Sequence, residues 1–117
     1  MIAHLVLMKP KADLLAPARR RFLDAFVKAI REIPSVRGVR VGKRRKHGAG
    51  YEQMMPDTGD YLAVIDFDNV EGLQAYLRHP AHEALGQSFT ECLDAALVYD
   101  FDVVALDELV STLLDEA

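Results

Sequence analysis

The stretch Tyr76-Leu77-Arg78-His79-Pro80-Ala81-His82 sets two histidines and a tyrosine within seven residues, with a proline among them. Pro80 lacks a backbone N–H and its ring fixes φ, so it suits the first turn of a helix. The residue before it, His79, is pushed out of helical angles. One helix therefore ends near Arg78, the chain turns at His79-Pro80, and a second helix runs on from Pro80. His82 falls in the first turn of that second helix, where the helix dipole disfavours a further positive charge. An imidazole kept neutral near neutral pH is a base and a hydrogen-bond acceptor. The plainer reading of the same spacing is two surface histidines flanking a turn.

Working outward, the helix before the corner carries Val70, Leu73 and Leu77 at helical spacing. Asp68 or Asn69 suits its N-cap, and Asp68 with Glu71 resembles a capping box. The helix after the corner carries Ala84, Leu85, Phe89, Cys92 and Leu93. Cys92 reads as a buried apolar residue. On either side lie strands, Asp60 to Asp68 and Ala95 to Ala105. In the first, Tyr61, Ala63, Ile65 and Phe67 share one face; in the second, Leu97, Tyr99, Phe101 and Val103 alternate with Val98, Asp100 and Asp102.

Toward the N-terminus, Phe22, Leu23, Phe26, Val27, Ile30 and Ile33 mark a long amphipathic helix that starts at Pro17 and ends at Pro34. A strand from Val36 to Arg45 follows it, and residues 46–59, with three glycines and Pro56, read as a mobile loop. The opening residues 2–9 form a strand apolar on both faces except for His4, which shares its face with Ile2, Val6 and Met8. A polar ring on such a face needs a partner or a cavity. The commoner case is a core histidine bonded to a neighbour.

The totals bound the function classes. A chain of 117 residues is one domain, with a core large enough to stand without staples. The lone Cys92 forms no internal disulfide, which fits a reducing cytoplasm. The apolar N-terminal stretch is too short for a membrane span and lacks the flank and cleavage site of a signal peptide. Net charge is −4, yet residues 1–50 hold 13 Lys/Arg against 3 Asp/Glu, and residues 51–117 hold 1 against 15. Opposite charges must then face each other within or between subunits. Arg37 to Lys46 packs six Lys/Arg into ten residues. The acidic total and the lack of interleaved aromatics argue against nucleic-acid binding there.

The element order is strand, helix, strand, strand, paired helices, strand. This is an α+β, ferredoxin-like βαββαβ antiparallel sheet with helices on one face. The face carrying His4 is expected to be the uncovered one, so that two sheets meet there and close a barrel. Residues 106–117 form a separate tail, with Leu109, Val110, Leu113 and Leu114 as the stripe of a short helix.

Five stretches together resemble the stress-responsive dimeric α/β-barrel family, Dabb. They are His4-Leu5-Val6-Leu7-Met8-Lys9, Ile33-Pro34-Ser35-Val36, Gly42-Lys43, the corner Tyr76 to His82, and Tyr99-Asp100-Phe101. The resemblance spans about residues 1–103, with 1–105 taken as the domain. It implies a homodimer whose two sheets form one barrel. A plant polyketide cyclase of this family closes a linear polyketide by intramolecular aldol condensation without a cofactor. Its functional positions correspond to His4, Tyr76 and His82. On that footing His82 removes a proton beside a carbonyl, and Tyr76 and His4 hydrogen-bond the enolate oxygen. Val6, Met8 and His79 are the expected ligand contacts. Neither a cofactor nor a side-chain metal site is expected. The competing readings are a dimeric stress protein that binds a small apolar or aromatic ligand without turnover, and an oxidative, monooxygenase-like relative.

Overall fold

A computed structural model describes residues 1–115 of the chain, with side chains described through Thr112. The strands are β1 (Ile2–Pro10), β2 (Gly38–Lys43), β3 (Tyr61–Phe67) and β4 (Leu93–Asp102). The helices are α1 (Ala16–Glu32), α2 (Val70–Arg78), α3 (Pro80–Cys92) and α4 (Leu109–Asp115). The strands form one antiparallel sheet in the order β2-β3-β1-β4, the ferredoxin-like arrangement. Among the described residues no helix is long and apolar enough to cross a membrane.

Local chemistry sets the helix boundaries. Pro17 lies in the first turn of α1, and the helix stops at Ile33, just before Pro34. Asn69 caps α2, its side chain accepting from the Gly72 N–H at 2.9 Å. Asp68 does not complete a capping box: it accepts from the Arg37 guanidinium at 2.8 Å. His79 stands at the corner with φ −67° and ψ 140°, the extended geometry its following proline demands.

Register decides which residues share a face. His4 lies opposite Ile65 on β3 and Asp100 on β4, and Val6 lies opposite Ala63 and Val98. The face bearing Ile2, His4, Val6, Ile65 and Phe67 is the one the helices cover. Ile2, Ile65 and Phe67 pack with Ala29 and Ile33 at the end of α1, Leu73 and Tyr76 of α2, and Leu85 of α3. This corrects the expectation that His4 looks out of the open face. Both faces of β1 are apolar, so period-2 alternation separates them without saying which one takes the helices. The open face instead carries Ala3, Leu5, Leu7, Leu62, Val64, Leu97, Tyr99 and Phe101. Tyr99 and Phe101 are each 51% exposed there, too large an apolar surface to be ordinary.

The β2–β3 connection is built rather than shapeless. It holds a 3-10 turn over Gly50–Met54. The Glu52 carboxylate accepts from the backbone N–H groups of His47 and Gly48, each at 2.9 Å. Gly48 has φ 90°, a conformation that favours glycine. Asp57 pairs with Lys9 of β1. At the other end of the chain, Leu109 and Val110 are exposed, while the side chains of Leu113 and Leu114 lie outside the described residues.

Phe67 is fully buried at the centre of the core. Phe67→Ala is expected to lower unfolding free energy by about 3–5 kcal/mol, measured by urea denaturation.

Candidate functional site

The Pro80 corner aims two side chains at the sheet. Tyr76, from the last turns of α2, is 1% exposed. Its ring lies 4.7 Å from that of His82 and 5.9 Å from that of His4, centroid to centroid. Phe67 backs it at 5.1 Å. The three groups border one cavity of about 240 Å³ between the sheet and the helices. Val6, Met8 and Ile65 line its floor, and Phe26, Leu85 and Phe89 its walls. Val6 and Met8 are thus both part of the cavity lining. His79 is not, and its Nδ1 accepts from the Ala81 N–H at 3.0 Å. Its place at the N-cap of α3 turns its Nδ1 to the backbone, apart from the groups that line the cavity.

Asp100 went unnoticed as a site residue. Its carboxylate lies 2.6 Å from His4 Nδ1. The carboxylate accepts, so the proton sits on Nδ1, and Nε2 is left as the ring nitrogen available to the cavity. The buried His4 ring is therefore held in orientation by a group that is itself 44% exposed on its side chain and keeps part of its hydration. The signal was available: an Asp in the Val98-Asp100-Asp102 alternation of the last strand, directly opposite His4 once the two strands are placed antiparallel.

Electrostatics separate the other two groups. Burial pushes the Tyr76 hydroxyl up to about 12, so it stays protonated and able to donate. Among the described residues the hydroxyl has no hydrogen-bond partner, which leaves it for a bound molecule. Burial also holds the His82 imidazole below its ordinary value, and neighbouring His4 adds to the effect, against a weaker upward pull from the Leu77 carbonyl and the Glu83 charge. A neutral base and a protonated phenol thus stand side by side in an apolar pocket.

A second, larger cavity of about 580 Å³ adjoins the first through Met8, Phe26 and Ala63. It runs between α1 and the β2–β3 side of the sheet.

The model of the stress responsive A/B barrel domain, Dabb, matches residues 2–103. The chain belongs to the Dabb family. Within reach of this Dabb chain, olivetolic acid cyclase from Cannabis sativa is 24% identical over 103 residues, 86% of this chain and 94% of that protein. A crystal structure of an Arabidopsis thaliana protein superposes with a TM-score of 0.74 at 18% identity, over 91% of this chain and 98% of that one. A dimeric ferredoxin-like protein of unknown function from Thermobifida fusca gives a TM-score of 0.67 at 22% identity, over 87% and 90%. At these identities the structures establish a shared fold, and the site has to be argued from its own geometry.

The lowered His82 value has a measurable sign. The ring should titrate below pH 6.5 in imidazole-resonance NMR of the folded protein. Because the folded value lies under the unfolded one, neutral His82 contributes stability that is present above about pH 6.5 and is lost as pH falls through the folded value.

Proposed function

We propose that this Dabb chain holds a small apolar or aromatic carbonyl compound between its sheet and helices and moves a proton at the carbon beside the carbonyl. The observation that carries this reading is the grouping of His82, Tyr76 and the His4–Asp100 pair at one end of an otherwise apolar cavity. His4 is satisfied by Asp100 and His82 has the Leu77 carbonyl beside it, whereas the Tyr76 hydroxyl has no partner among the described residues, and a buried donor is costly unless something binds to it.

The roles follow from protonation state. The neutral His82 ring takes a proton from the carbon, and the electron pair of that C–H bond moves onto the carbonyl oxygen as an enolate. The Tyr76 hydroxyl donates to that oxygen as negative charge gathers on it, in a site where water does not compete. His4, fixed by Asp100, offers Nε2 at the same end: as an imidazolium it donates to an oxygen, and as an imidazole it accepts. If the ligand carries a second carbonyl within reach, the enolate carbon adds to it and closes a ring. His82 then returns its proton to the new alkoxide, so the sequence balances without an external oxidant or reductant. The similarity to olivetolic acid cyclase favours ring closure among the outcomes an enolate allows.

The same reading includes a second copy on the open sheet face. Leu5, Leu7, Val64, Leu97, Tyr99 and Phe101 present an apolar surface there, and relatives of this fold are dimeric. Two such faces close into a barrel that hides them.

Two measurements check this. With acetophenone as the probe, Tyr76→Phe should weaken binding by about 0.5–1.5 kcal/mol in an NMR titration while thermal melting stays unchanged. His82→Ala should likewise leave melting in place; a loss of about 1–3 kcal/mol of stability would instead make the cluster a structural tie between corner and sheet. Sedimentation velocity at micromolar concentration should give a dimer, and a stable folded monomer would refute the paired sheets.

A further inference from the structure

Past β4 the chain continues as an arm. Residues 103–105 lead through a 3-10 turn, Leu106–Glu108, into α4. Among the described residues α4 packs closely only against that turn. Leu106 and Val110 are 84% and 66% exposed. Asp107 and Glu108 between them are exposed and in no ion pair. The Dabb match ends at residue 103, where the arm begins. No Lys or Arg follows Arg78 anywhere in the chain. The opposite charge is concentrated around β2, an edge strand, with six Lys/Arg over residues 37–46. Arg40 lies opposite Val64, which places it on the open face of the sheet. Asp66 stands diagonally from it on that face, yet Arg40 is in no ion pair among the described residues.

We propose that the arm crosses to a second copy of the chain and lies on the basic β2 edge there, with Asp107 and Glu108 against Arg40. This rests on the paired sheet faces proposed above. Register sets the end of β4 and the start of β2 at the same end of the sheet: Asp102 lies opposite Ile2, Ile2 opposite Phe67, and Gly38 opposite Asp66. A two-fold axis along the strands, with the open faces together, brings β4 of one copy beside β2 of the other and keeps those ends together. The arm then leaves β4 next to Arg37 and Arg40 of the second copy. Within one copy the whole width of the sheet separates β4 from β2. Val39, 39% exposed, adds apolar surface beside these cations for Leu106 and Val110 to cover. The acidic pair then fixes where that apolar stripe lands. The uneven spread of charge along the sequence gains a purpose: the basic half of one copy meets the acidic end of the other.

Sedimentation equilibrium on the full chain, with charge reversals on each side, tests this. The double variant Asp107→Lys, Glu108→Lys should raise the dimer Kd about tenfold, the order for exposed ion pairs lost at two symmetric places. Arg40→Glu should raise it by a similar factor. Combining the three substitutions should bring Kd back to within about threefold of the native value, because the charges again oppose. Melting of the arm variant should match the native chain, since the arm packs closely on no other element of its own copy. If Arg40→Glu does not fold, Arg40→Gln takes its place, and in that background the arm reversal should cost little. A native dimer whose Kd ignores the arm reversal overturns the proposal and leaves the paired sheets standing. So does a combined variant in which the two losses add and do not cancel. A native chain that sediments as a folded monomer removes the paired sheets, and this inference falls with them.

Discussion

A missing N–H and a locked φ at Pro80 govern the geometry of this molecule. Without them α2 and α3 would run on as one helix, and Tyr76 and His82, six residues apart, would leave its axis in different directions. The proline forces His79 into extended angles, and the chain restarts as a new helix with a new axis. That break is what turns His82 back over the Tyr76 ring, with both facing β1. The same break consumes His79, whose ring accepts a backbone N–H at the start of α3. One constraint thus recruits one histidine of the pair to the cavity and the other to the corner.

The cavity exists because the sheet and the helices do not close evenly. Around Ile65, Phe67 and Tyr76 the layers are tightly packed, and these side chains are almost wholly buried. Toward Met8 and Ala63 the layers part, and the two cavities open. Unfilled apolar volume loses dispersion contacts that a denser core would keep. A bound hydrocarbon would restore them, which is why the proposed ligand is apolar. The polar end adds direction. His4 is anchored by Asp100, Tyr76 is rigidly wedged against Phe67, and His82 is kept uncharged by its surroundings.

Much of this was legible in the residues. The strand and helix order followed from periodicity and proline placement, and every strand and main-domain helix read from the sequence is present, with ends shifted by up to about three residues. The grouping of His4, Tyr76 and His82 was also foreseen. Its location was not, because β1 is apolar on both sides and alternation alone does not say which side is roofed. Asp100 was missed for a related reason: its value lies in being opposite His4, and cross-strand register is a tertiary fact. His79 looked equal to His82 in the linear sequence, and the cap geometry distinguishes them.

The claim at the centre is that His82 removes a proton from carbon. Deuterium uptake into the methyl group of acetophenone, followed by proton NMR in heavy water, tests it most directly. Exchange should run faster with the protein than in buffer, rise as pH climbs through the His82 titration, and vanish in His82→Ala. Exchange at the buffer rate while acetophenone is demonstrably bound would contradict the account and leave a binding protein without turnover.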